Sequence, residues 1–282
     1  LLKNISIKNL LSFNDTGVSI ELKNLNVLIG ANGCGKSNFI EALALLQSAP
    51  SYLASPIKDS GGISVWLHKG TKRPVANIEV TLEMNGQYEI PIKHSISFAE
   101  TGNKFDLQDE RIENSQPFKD ASEPYFYYKY QNNHPVLNVQ EGIRTLKRED
   151  VDPEQSILSQ RKDPDQYPEI TRIGLQYQRI RIYREWIFGR YAMPRQPQKA
   201  DGKNDYLEED YQNIGLVLNK IATDLKLKKK LISKLQILYP LFEDFTVFVE
   251  GGTVQIFFHE KDYIVPATRL SDGTLRYLAL LI

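Results

Sequence analysis

Along the first fifty residues the chain alternates twice and then runs. Ile5, Ile7 and Asn9 alternate with polar neighbours and predict an opening strand, and a turn at Gly17 leads to a second alternation at Val18, Ile20 and Leu22. Leu25-Asn26-Val27-Leu28-Ile29 is a short apolar run of the kind buried on both faces of a sheet, so it predicts a third strand. That run enters Gly30 and a glycine-rich stretch. From Ser37 onward Phe39, Ile40, Leu43 and Leu46 recur at helical spacing. The predicted first unit, residues 1–50, is therefore strand, loop, helix.

After Pro50 the texture changes. Residues 51–62 suggest a loop, while 63–67, 76–84 and 88–98 suggest strands, with Asn85-Gly86 as a hairpin turn. Residues 100–123 are polar and suggest a loop or insertion, 125–130 an aromatic strand, and 139–146 a strand pair turning at Gly142. The segment 51–150 is thus expected to be an antiparallel β lobe. Residues 151–240 are expected to be mainly helical. Within them 157–191 has helical texture broken by Pro164 and Pro168, 194–204 is a loop, and Ile214, Val217, Leu218, Ile221, Leu225, Ile232 and Leu235 trace one helix face. Residues 241–282 predict a hairpin about Gly251-Gly252, a short strand at 263–265, and a helix opened by Leu270-Ser271-Asp272-Gly273-Thr274. The whole is expected to be one α/β domain.

Composition narrows the classes. The 282 residues are 41% hydrophobic and 25% charged, as in an ordinary globular chain. Lys plus Arg, 35, equals Asp plus Glu, 35, so net charge gives no support for a protein that coats nucleic acid. Cys34 is the only cysteine, which fits a reducing cytosol better than a disulfide scaffold. No apolar run has the length of a membrane span, and Leu1-Leu2-Lys3-Asn4-Ile5 lacks the order of a signal peptide. A soluble cytoplasmic protein with no membrane partner is expected.

Gly30-Ala31-Asn32-Gly33-Cys34-Gly35-Lys36-Ser37 matches the phosphate-loop pattern G-x-x-x-x-G-K-[ST] at every fixed position. Glycines let successive backbone N–H groups turn toward phosphate oxygens, and the following helix adds its unpaired N–H groups and dipole. Lys36 supplies a charge to the β- and γ-phosphates, and Ser37 a hydroxyl to Mg²⁺. ATP with Mg²⁺ is the expected cofactor. Cys34 reads as a small residue at a permissive position.

The segments Ile5–Asn9, Leu25–Gly33 and Gly35–Leu43, with Asn38 directly after the Lys-Ser pair, resemble the opening of RecF/SMC-like ATPases, which belong with the ABC-type heads. Arg269-Leu270-Ser271-Asp272-Gly273-Thr274-Leu275-Arg276-Tyr277-Leu278-Ala279 is similar to the ABC signature as used by predicted bacterial AAA-type ATPases of the RecF/OLD-related group, and the stretch from Arg190 to Asn213 also looks like that group. The resemblance implies a P-loop NTPase fold of the ABC-head type, with a mixed sheet, an inserted antiparallel β lobe and a helical segment. It implies that Gly30, Asn32, Gly33, Cys34, Gly35, Lys36, Ser37 and Asn38 hold the nucleotide. It further implies that Ser271, Asp272 and Gly273 act in trans on nucleotide bound by a second head, in an ATP-dependent homodimer. Gln160 stands where the family has a glutamine near Mg²⁺ and the attacking water. The implied function is an ATP-gated clamp in DNA repair or anti-phage defence, possible partners being DNA or an effector protein. The alternative is a nucleotide-sensing scaffold that holds or releases a nuclease or toxin.

This sequence departs from the family in two places. Asn9 is followed by Leu10, Leu11 and Ser12 rather than by a basic residue. The Walker B strand, with its metal-binding Asp and catalytic Glu, should follow the signature helix, yet the sequence stops at Ile282; the expectation is a head truncated before Walker B, with no catalytic residue in this stretch. Elsewhere the histidines His68, His94, His134 and His259 make no metal-ligand spacing. Lys226, Lys228, Lys229 and Lys230 suggest a solvated helix face, and Tyr125 to Tyr130 a half-buried strand.

Overall fold

In the computed structural model Ile5 and Ile7 are fully buried while their neighbours face outward, as alternation requires. The structure describes residues 2–84, 89–131, 134–139, 142–145, 152, 154–184, 186–187 and 189–282. They form two compact units, residues 1–180 and 181–282, each with its own hydrophobic core.

In the first unit β1 (Leu2–Lys8) pairs with β2 (Val18–Glu21), placing Ile5 opposite Ile20. Then come α1 (Lys36–Ser48), α2 (Ser55–Asp59), α3 (Ile63–Trp66), β3 (Ala76–Leu82), β4 (Ile92–Thr101), β5 (Lys104–Asn114), β6 (Phe126–Gln131), β7 (His134–Val139), β8 (Gly142–Thr145), α4 (Ile157–Gln160) and α5 (Pro168–Tyr177). The strands make one eight-stranded sheet in the order β2-β1-β3-β4-β5-β6-β7-β8, and its described ladders are antiparallel. α1 buries Phe39, Ala42, Leu45 and Leu46, its 3.6-residue stripe, in the same core as the inward residues of β1, β3 and β4.

The structure corrects the sequence reading in several places. The run from Leu25 to Ile29 joins no strand ladder; Leu25, Val27 and Ile29 are 82%, 75% and 87% exposed. Its composition suits a buried strand, but no described strand lies beside it to take its backbone hydrogen bonds. Residues 63–67, expected as a strand, contain α3, because Ile63 and Trp66 bury together at i, i+3 while Val65 faces out. The short helix α2 lies in what was expected as loop. Polar 100–123 contains the whole of β5, whose alternation is hidden by a bulge at Gln108, across from Ser97 and Phe98 of β4, and by a glutamate, Glu110, on the buried face. Gly142 opens β8 opposite Val139 instead of sitting in the turn. Helical texture stops at Tyr177 instead of reaching 191. The turn expected at Asn85-Gly86 lies outside the described residues.

Glu110 is tolerated because every side of its carboxylate is met. Its Oε1 faces His94 Nε2 at 3.2 Å and accepts from the Ser156 hydroxyl, and Oε2 accepts from Ile157 N–H at 2.9 Å. His94 Nδ1 in turn faces the Tyr177 hydroxyl at 2.9 Å. This buried network ties β4 and β5 to α4 and α5. Burial first, and then the Glu110 charge, push the Tyr177 hydroxyl well above its ordinary pKa.

The second unit contains β9 (Gln198–Lys199), α6 (Ile214–Thr223), α7 (Leu225–Leu238), β10 (Phe242–Glu250), β11 (Thr253–Glu260), β12 (Tyr263–Pro266) and α8 (Asp272–Leu281). Its four-stranded sheet has the order β10-β11-β12, with β9 also on β11. The apolar face expected as one helix is two. Asp224 ends α6 and caps α7, its carboxylate accepting from the N–H groups of Lys226 and Leu227 at 2.9 and 3.0 Å. The hairpin turns at Gly251-Gly252 as expected. Among the described residues no helix is long and apolar enough to cross a membrane.

Candidate nucleotide-binding site

The glycine-rich loop, residues 30–37, leads straight into α1. Gly35 is the helix N-cap, with φ 96° in the left-handed region, and a Cβ built there would lie 2.8 Å from Ser12 Oγ. Only glycine fits this backbone and this approach. No side chain caps the helix and its first turn holds no acid, so the N–H groups at its start keep their partial positive charge for an anion.

Lys36 folds back over the loop. Its ammonium donates to the carbonyls of Gly30 and Ala31, both at 2.8 Å, and lies 3.6 Å from Cys34 Sγ. The carbonyls offer partial charges, which the full charges of a polyphosphate outcompete. Asn32, Gly33, Cys34 and Ser37 are exposed, so the loop opens to solvent. The Ser37 hydroxyl at the helix start is therefore accessible to Mg²⁺, and a hydroxyl oxygen suits that hard cation. Asn38 donates to Ser12 Oγ at 2.8 Å, pinning α1 to the turn after β1. That turn is itself braced: Leu11 N–H donates to Trp66 O at 2.6 Å, and the Asn9 amide donates to Val75 O at 3.1 Å. Ser12 is thus a supporting residue that the motif did not reveal.

In the second unit Ser271 is the N-cap of α8. Its Oγ accepts from Thr274 N–H at 3.0 Å and lies 2.8 Å from Thr274 Oγ1. Ser271, Asp272 and Gly273 are exposed. Arg195, buried, crosses to this segment. Its Nη1 donates to the carbonyls of Leu270, Thr268 and Ala267 at 2.5, 3.2 and 3.4 Å, and its Nη2 holds the Asp272 carboxylate. It forms one wall of a cleft of about 740 Å³ lined also by Arg190, Tyr191 and Arg269. Sequence reasoning gave Arg195 no role; the resemblance of the stretch around it was the one signal.

Gln160 uses both ends of its amide at home. Its Oε1 accepts from Asp152 N–H at 2.8 Å, and Nε2 donates to Gln155 O at 3.0 Å. Contact with a metal would require those bonds to open. Of the other candidates, His94 is spent in the buried network, Tyr128 and Tyr130 are buried in the sheet, and Lys228 pairs with Asp244 at 2.8 Å.

Residues 25–282 match the sequence profile of the family described as "AAA domain, putative AbiEii toxin, Type IV TA system". No curated protein sequence matches the chain. Among solved structures, an SmcHead bound to the C-winged helix domain of ScpA superposes over 99% of this chain and 74% of its own, with TM-score 0.52 and 14% identity. A second, from work on ATP-driven dimerization and DNA stimulated activation of SMC ATPases, covers 37% of this chain and 70% of its own at 19% identity; its TM-score, 0.28, establishes no common fold. The profile match and the full-length superposition agree with the geometry: this is a P-loop ATPase fold.

Proposed function

The chain belongs to the AAA-domain family matched over residues 25–282, and we propose that it is the nucleotide-binding part of a two-headed, RecF/OLD-related ATPase. Residues Gly30, Asn32, Gly33, Cys34, Gly35, Lys36, Ser37 and Asn38 bind ATP with Mg²⁺. Ser271, Asp272 and Gly273 of a second copy close on the γ-phosphate, and ATP holds the pair together. The observation that carries this reading is the uncapped start of α1 at Gly35 with the Lys36 ammonium folded over the loop mouth. The exposed run from Leu25 to Ile29 fits the same reading, since its apolar side chains suit a strand that a further strand laid beside it would cover. Burying such side chains contributes about 1.5–3 kcal/mol each. From the family resemblance we place the clamp in DNA repair or anti-phage defence.

Light scattering of the chain with and without a non-hydrolysable ATP analogue tests this. The mass should double from 32.4 kDa with the analogue, and Ser271→Arg should stay monomeric. A wild-type chain that binds the analogue but never doubles would reduce the function to nucleotide binding alone. The toxin named in the family description favours one other reading, a nucleotide sensor that restrains an effector. Slow turnover by the complete protein and a stoichiometric effector would select it.

A further inference from the structure

We propose that Arg195 is the positioning residue of the Ser271–Gly273 segment, fixing where Ser271 presents its hydroxyl to the nucleotide of the second copy; this rests on the two-headed reading above. The segment has capping needs on both sides. Before it, the 3₁₀ turn Ala267–Arg269 is closed by Leu270 N–H on the Ala267 carbonyl at 3.3 Å, which leaves the Thr268 and Leu270 carbonyls to bonds from outside the turn, and behind it α8 begins with N–H groups that need acceptors. Ser271 answers the second need. Arg195 answers the first, through the carbonyls of Ala267, Thr268 and Leu270. With its other nitrogen the same guanidinium holds Asp272, the first residue of α8. Ser271 lies between two residues bound to one rigid planar group, so its placement is fixed from both sides.

The chemistry favours a geometric role over a charge role. Asp272 is 53% exposed, and an ion pair with so wet a carboxylate adds little to stability. The Arg195 side chain is 8% exposed, and its Nε–H has no partner among the described residues, a cost the fold accepts. What arginine gives here is a fork with several donors in fixed directions. A lysine would bring the charge but only a single nitrogen, and could not span the carbonyls and the carboxylate together.

The test is the analogue concentration at which the chain doubles in mass. Arg195→Lys, which keeps the charge, should raise it about ten-fold, the loss of one or two charge-assisted hydrogen bonds; Arg195→Gln should raise it further. Lys220→Gln, which removes the ion pair with Asp205 in the same unit, should leave it where it was. Thermal melts of each variant report folding, and Arg195→Lys is the variant expected to melt with the wild type. Doubling of Arg195→Lys at the wild-type concentration would overturn the positioning role and leave the two-headed reading intact. If the wild-type chain itself does not double, that reading falls and the role of Arg195 with it.

Discussion

At the scale of single residues, the phosphate loop depends on contacts of opposite kinds. Lys36 bonds carbonyls that nucleotide would replace, so it is spent on the ligand and not on the fold. Lys36→Ala should weaken analogue binding roughly 10- to 150-fold, the equivalent of about 1.5–3 kcal/mol for a charge-assisted bond, and leave the melting curve nearly unmoved. Titration calorimetry beside a thermal melt separates the two. Gly35 is the reverse. Gly35→Ala forces a side chain into the left-handed region, at about 1–2 kcal/mol, and onto Ser12 Oγ. It should lower the melting temperature as well as nucleotide affinity. The fixed positions of the loop were legible in the sequence because the motif is contiguous. Ser12 was not, because its bond to Asn38 spans 26 residues, nor was Arg195, which reaches Asp272 across 77.

At the scale of elements, what the sequence disclosed depended on whether burial followed period. β1, β3 and β11 alternate cleanly and were legible, and Gly251-Gly252 marked the turn that joins β11 to β10. β5 was not, because its inward row includes Glu110, and an acid on a core face defeats a hydrophobic pattern. The same residue makes a sharp prediction. Glu110→Ala would strip partners from the Ser156 hydroxyl, the Ile157 N–H and His94 at once. The loss should be about 3–5 kcal/mol, visible as a lower urea midpoint, with Glu110→Gln costing less. Residues 25–29 failed in the opposite sense: a strand sequence is not a strand until a neighbour supplies its ladder.

For the whole molecule, the buried tyrosines set the alkaline limit. Tyr177 and Tyr128 have hydroxyls raised above their ordinary pKa, burial being the larger cause in both. A group whose folded pKa lies above its unfolded value stabilises fully below the unfolded value, about 10 for tyrosine, and loses that contribution as pH rises past it. Stability should therefore hold from neutral pH to about 10 and then fall. Tyr177→Phe should make the fall shallower, while costing about 1–3 kcal/mol at neutral pH where His94 loses the partner of its Nδ1 and keeps only Glu110. Denaturation midpoints across pH 7 to 12 would show both, and a midpoint equally flat in both proteins would refute the assignment.

The one sulfhydryl of the chain sits exposed in the loop that curls toward phosphate, beside the ammonium of Lys36. That makes the protein its own reporter. A maleimide dye can attach at only one place, Cys34, and a bound triphosphate would stand in its way. The alkylation rate, followed against nucleotide concentration, should then trace occupancy directly, without an engineered label and whether or not the molecules pair.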